Sequence, residues 1–241
     1  MRAEELERKV RGVLERDPRV NLHRYPIDIR CEADGNLVLE GQVENLAAKK
    51  VALELAAAIP ACTEIVDRLR VKPSIPMGDG AIRDGVRDAL IEEPALERYA
   101  IQLRDDATVK VAREPAAPQT NCLEIAVADG AVTLNGRVES LSHKRLAGLL
   151  AWWVPGTRDV INGIEVQPPE EDSDDEITDA VRAALEKDKL VRSDSIRVTT
   201  ENAVVTLDGI AVNDRQAAMA EADAWYIFGV DGVINYLQRL E

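Results

Sequence analysis

The sequence predicts an α+β protein of three tandem α-β-β-α-β domains, each a small three-stranded mixed sheet with two helices packed on one face. A strand-turn-strand signature appears three times, as "EADGNLVLEGQV" (32–43), "VADGAVTLNGRV" (127–138) and "TTENAVVTLDGIAV" (199–212). The glycines that mark the end of the second strand, Gly41, Gly136 and Gly209, lie 95 and 73 residues apart. The segments "AIPACTEIVDRL" (58–69), "WVPGTRDVINGI" (153–164) and "YIFGVDGVINYL" (226–237) follow at the same offsets without a gap. Three ordered blocks at one spacing are repeats, and a repeated unit of this length is one supersecondary module.

Each copy opens on a helix. Leu6, Val10 and Val13-Leu14, and Ile177, Val181 and Ala184-Leu185, recur at helical spacing, and "IRDGVRDALIEEP" (82–94) matches them in copy two. Ser173, three residues before Glu176, reads as a capping-box start, and Pro18 and Pro94 favour an end to the first two helices. Two strands follow, with alternating apolar residues such as Ile27, Ile29, Cys31 and Leu37, Leu39. Asp34-Gly35, Asp129-Gly130 and Asn202 supply residues that tolerate positive φ between them. Gly41, Gly136 and Gly209 are expected to permit a bend or a close backbone approach, a structural role shared with Gly35, Gly130, Gly156 and Gly229. A second helix carries Leu146, Leu149, Leu150, Trp153 and Val154 on one stripe, and a last strand is expected over Val160 to Val166.

The predicted domains are residues 1–72, 80–167 and 174–241. "PSIPMGD" (73–79) and "PPEEDSDD" (168–175) read as exposed spacers. The acidic run lacks the glycine and the terminal glutamate of a calcium loop. Copy two is longer, with an insertion at about 99–121. There Ile101-Gln102-Leu103 and Val109-Lys110-Val111 flank Asp105-Asp106 as an added hairpin, with a loop at Pro115 and Pro118.

The chain has 241 residues, 46% apolar but only 3% aromatic, so its cores rest on Val, Leu, Ile and Ala. Net charge is −14, which disfavours nucleic acid and anionic lipid as partners. The charge is uneven. Lys and Arg balance Asp and Glu in 1–72 (13 against 13), but fall short in 80–167 (10 against 13) and 176–241 (7 against 12). Cys31, Cys62 and Cys122 are odd in number and widely spaced, as expected of small buried thiols in a reducing compartment. No apolar run reaches the roughly 20 residues of a membrane span, and no signal-peptide core follows Met1. The expected location is therefore cytoplasmic as written, and periplasmic or envelope if a leader has been removed.

No catalytic constellation is visible. His23 and His143 lack a Cys or His at metal spacing and read as surface residues; Ser140 and Ser142 lack a nucleophile elbow, and no phosphate-cradling loop occurs. No enzyme activity, metal or cofactor is expected. The contact candidates are aromatic: Trp152-Trp153 and Trp225-Tyr226 occupy equivalent places at the ends of second helices, where copy one has Ala57-Ala58. Adjacent helical residues point about 100° apart, so Trp153 on the stripe is expected to be buried and Trp152 partly exposed near Leu141 and Arg145. Trp152, Leu141, Arg145 and Trp225 are thus candidates to meet a membrane or partner, with packing between domains as the plainer use.

"VADGAVTLNGRVES" followed by "WWVPGTRDVINGIEV" resembles the BON (bacterial OsmY and nodulation) family, and all three copies follow that pattern. Copies one and three depart at Pro60-Ala61 and Phe228-Gly229, where Pro-Gly is usual. The resemblance implies non-enzymatic roles: association with phospholipid surfaces, envelope maintenance, protection under osmotic stress and, in one branch, potassium sensing. The expected function is a non-catalytic, stress-related binding protein that contacts a membrane surface or a protein partner. A potassium or osmotic sensor and a structural multi-domain scaffold are the alternatives.

Overall fold

The computed structural model describes residues 3–32, 36–62, 64–105, 108–114 and 121–240. Asp34-Gly35, Asp106, Pro115 and Pro118 lie outside the described residues. The chain forms two compact units, Met1–Lys72 and Pro73–Glu241, and the second holds copies two and three.

The first unit runs α1 (Ala3–Leu14), β1 (Ile27–Cys31), β2 (Leu37–Val43), α2 (Leu46–Ala57) and β3 (Ile65–Val71). β1 pairs antiparallel with β2, and β3 returns parallel to β2. A helix must join β2 to β3, because parallel neighbours need a crossover. Leu6, Val10 and Leu14 from α1, with Val51, Ala52 and Ala56 from α2, are buried with Ile27, Ile29, Leu37, Leu39 and Leu69 of the sheet.

Copy three repeats this plan with α5 (Asp174–Lys187), β10 (Ile196–Glu201), β11 (Val204–Ala211), α6 (Asp214–Tyr226) and β12 (Gly232–Arg239) in a sheet ordered β10-β11-β12. The Ser173 hydroxyl accepts from the Glu176 amide at 3.3 Å and so caps α5. Copy two runs α3 (Asp79–Glu92), β4 (Ala100–Asp105), β5 (Thr108–Arg113), β6 (Cys122–Ala128), β7 (Ala131–Val138), α4 (Leu141–Trp153), β8 (Asp159–Asn162) and β9 (Glu165–Val166). The insertion is the hairpin β4-β5, which joins the edge of the repeat so that the sheet reads β5-β4-β6-β7-β8, with β9 also on β7. This sheet has six strands, not the expected three.

Arg113 of β5 fixes the insertion: its guanidinium donates to the carbonyls of Tyr99 (2.8 Å), Ile91 (3.2 Å) and Leu96. The last strand of copy two is broken where one was expected. Asn162 turns its amide into the Lys144 carbonyl of α4 at 2.8 Å, and Gly163 bridges the gap to Leu134.

The marker glycines sit inside the second strand, not after it. Gly136, at φ +113°, faces Leu123 on β6, and a Cβ there would lie 1.9 Å from the Cys122 carbonyl oxygen. Gly41 and Gly209 make the same approach to Pro26 and Ser195. Asp129 and Gly130 both take positive φ in the β6-β7 turn, as do Asn202 and Ala203 in the β10-β11 turn.

The first helix of each of these copies grips its hairpin. Asp79 accepts from the Asp129 and Gly130 amides at 2.9 and 2.8 Å; Asp174 accepts from those of Asn202 and Ala203 at 2.7 and 2.9 Å. The equivalent position in copy one is Ala3.

The three cysteines are half-buried free thiols, not fully buried ones. His23 is exposed, but His143 is half-buried because Tyr99 of the insertion covers it, with the Tyr99 hydroxyl 2.7 Å from Nδ1. No helix is long and apolar enough to cross a membrane, among the described residues.

Candidate functional site

Copies two and three join through α4, α5 and α6. Of the sequence stripe on α4, Leu150 and Val154 join Ala147 and Ala151 in the copy's own core, with Leu146 and Trp153 packed against it. Leu149 and Arg145 instead line a cleft of about 370 Å³ shared with Ala180, Ala183 and Ala184 of α5. Helix α4 therefore buries two faces, one in its own domain and one against its neighbour.

The four contact candidates fare differently. Leu141 is buried at the first turn of α4, where its amide donates to Glu170 at 2.7 Å. Arg145 is only 1% exposed; its Nε donates to the Phe228 carbonyl at 2.9 Å and its Nη2 to Asp172. Trp225 is buried at the end of α6. Trp152 is half-buried and stacks on Tyr226, centroids 5.1 Å apart and planes 10° from parallel. Leu141, Arg145 and Trp225 are thus covered in this structure, and Arg145 and Trp152 contact the neighbouring copy. Trp153, expected to be buried, is half-buried at the edge of its core, and its indole N–H reaches Asp223 on α6 at 2.8 Å.

Sequence reasoning missed the other half of the junction. Asp223 lies on the buried stripe Gln216, Ala220, Asp223, Ala224 of α6, and a carboxylate on an apolar stripe was a usable signal. Burial, partly offset by the Trp153 hydrogen bond and reinforced by Asp188, pushes its carboxyl up to about 7. The linker 168–175 is exposed as expected, yet Glu170 and Asp172 staple it to α4. Lys187 at the end of α5 pairs with Glu93 beyond α3 at 2.8 Å, and Lys144 stands 4.3 Å over the half-exposed Phe228 ring. Gly229 keeps this corner tight: at φ +95°, its Cβ would lie 3.2 Å from Arg145 Nη2. Among the described residues no cluster of three or more His, Cys, Asp or Glu could hold a metal ion.

A second feature is the open face of the copy-three sheet. Val205 and Leu207 point inward, while Ile210, Ile234 and Tyr236 point away from the helices, 46%, 41% and 62% exposed. Asn235, between the last two, donates to Ala217 and Glu221 of α6, which fixes the facing.

The BON domain model matches residues 2–73, 102–168 and 173–240. The chain belongs to the BON domain family. This BON chain is 28% identical over 168 residues to osmotically-inducible protein Y of Escherichia coli (strain K12), spanning 67% of the chain and 73% of that relative. Among solved structures it is similar to CdsD, a structural protein of the Type III secretion system of Chlamydia trachomatis. The CdsD C-terminal domain is 13% identical with all of both chains covered; a second CdsD structure is 15% identical over 98% of this chain and 92% of that one. Both have a TM-score of 0.25, a likeness that carries no argument.

Proposed function

We propose that this BON chain is a non-catalytic binding protein of the osmotic-stress response, and that it meets phospholipid surfaces through the open sheet face of copy three. The relation to an osmotically inducible protein supports the setting. The observation that carries the contact is the exposed group Ile210, Ile234 and Tyr236 on the sheet face turned away from the helix α6. Covering one such side chain is worth about 1–2 kcal/mol, so the group together supports weak, reversible adsorption. Tyrosine suits a lipid interface, with its ring in the apolar zone and its hydroxyl in water. A net charge of −14 opposes anionic lipid, which selects zwitterionic bilayers.

Co-sedimentation with zwitterionic and anionic vesicles tests this. Wild type is expected to pellet with zwitterionic vesicles, and Ile234→Ser/Tyr236→Ser to bind about tenfold more weakly. Trp152→Ala, which alters the junction and not the sheet face, should bind like wild type. Absence of binding to either vesicle removes the lipid reading and leaves the face to a protein partner.

A further inference from the structure

We propose that the Trp153–Asp223 contact is a proton-operated latch between copies two and three: docking of α4 on α6 is tight while the Asp223 carboxyl holds a proton and weakens when it ionises.

The geometry comes first. Asp223 is 3% exposed. One carboxyl oxygen accepts the indole N–H of Trp153 across the junction, and the other has no hydrogen-bond partner among the described residues. An ionised carboxylate offers about four acceptor sites, so one donor leaves the buried charge poorly solvated. Among the described residues no cation answers it. On α4, Arg145 is engaged by Asp172 and the Phe228 carbonyl, and Lys144 lies over the Phe228 ring. On α5, Lys187 reaches Glu93, and Arg182 is held by Asp179 and the Val198 carbonyl. Just past the end of α5, Asp188 adds a second carboxylate, whose negative charge disfavours ionisation of Asp223. On α6 itself, Tyr226 faces the same spot, its phenol pushed up by burial and then by the Asp223 charge, while Glu221 accepts from Asn235.

Burial, with Asp188 adding to it, sets this carboxyl at about 7 in the docked state, against 3.8 when free in water. The raised value means that the docked form binds the proton better. Docking is therefore strongest below 3.8, weakens as pH rises, and levels off above about 7. If undocking returns the carboxyl to its free value, the docking constant falls about thirtyfold between pH 5.5 and 8.5.

The chain has three tryptophans, so its three indole N–H resonances in a ¹⁵N-labelled sample provide the readout. The resonance lost in Trp153→Phe is expected to titrate with a midpoint near pH 7. Amide exchange in 222–227, corrected for intrinsic rate, should be faster at pH 8.5 than at 5.5 by about thirtyfold. Asp223→Asn, neutral throughout, should abolish both changes. An indole resonance that is flat from pH 5.5 to 8.5, or that titrates equally in Asp223→Asn, overturns the latch. Should Asp223→Asn fail to fold, Asp188→Asn decides. Removing the like charge must lower the midpoint, and an unmoved midpoint sinks the proposal. His143 also lies at this junction, so each titration is repeated in His143→Gln. Persistence of the shift supports Asp223, and its loss overturns the assignment.

Discussion

The Arg145 guanidinium, buried to 1% exposure, donates to the carboxylate of Asp172, a residue that sequence reading left in a solvated spacer. The pair ties helix α4 to the segment that leads into copy three, and the Phe228 carbonyl completes the site from the far side. Asp172 is partly exposed but Arg145 is not, so removing the carboxylate strands a buried charge. Asp172→Ala leaves Arg145 buried with one carbonyl acceptor and is expected to cost the Pro73–Glu241 unit about 3 kcal/mol. Arg145→Met, which strands no charge in the interior, should cost less. Urea unfolding of the full chain, resolved into its two units, measures both; equal losses would refute this ordering.

The Asp79 and Asp174 clamps predict a matched pair of effects. Each carboxylate accepts two turn amides at or near the surface, where solvent competes and each bond contributes about 1 kcal/mol. Asp79→Ala and Asp174→Ala should therefore each destabilise their unit by about 2 kcal/mol and speed amide exchange at residues 129–130 or 202–203. Exchange unchanged at those amides would show that the turns hold by their own geometry.

The repeat, its helix and strand order and the added hairpin were all legible in the sequence, because each follows from local periodicity and turn chemistry. Asp129-Gly130 could be read because positive φ is a property of two adjacent residues. Packing between domains could be read from the paired aromatic residues, but which residues meet there could not, because the partners are far apart in the chain. Trp153 and Asp223 are separated by 70 residues, and nothing local distinguishes an indole that packs inward from one that reaches a carboxylate. Of the α4 stripe only Leu149 departs, and for the same reason. A helix buried on two faces has no single apolar side, so Leu149 and Ala147 compete for the same pattern. The six-stranded sheet escaped because adding a hairpin to an edge depends on Arg113 finding three carbonyls, one at the end of α3 and two in the segment that leads to β4.

His143 gives a pH effect opposite in sign to that of Asp223. The Tyr99 hydroxyl accepts the Glu139 amide at 3.1 Å and also hydrogen-bonds His143 Nδ1 at 2.7 Å. Burial disfavours the charged ring and pulls the imidazole below its ordinary 6.5. A base whose folded value is depressed takes up its proton more readily when unfolded. Stability is therefore lost as pH falls through 6.5, until the lower folded value is passed. In an Asp223→Asn background, urea midpoints should fall between pH 7 and 5, and His143→Gln should remove the fall. An identical pH profile in the two variants would assign the loss to another group.

Gly136 and Gly12 form a contrasting pair for alanine substitution. Gly136 holds φ +113°, and a Cβ would stand 1.9 Å from the Cys122 carbonyl oxygen, far inside van der Waals contact with a backbone atom that cannot swing away. Strain and the forced separation of β6 from β7 together should cost at least about 3 kcal/mol. Gly12 lies within α1 with nothing within 4 Å of its added Cβ, so alanine there only improves helix propensity. Gly12→Ala should stabilise the Met1–Lys72 unit by about 0.5–1 kcal/mol. Thermal melts that follow each unit separately should therefore show the first-unit transition rising in Gly12→Ala and the second-unit transition falling in Gly136→Ala. A Gly136→Ala protein that melts with wild type would mean β6 and β7 do not approach as closely as this.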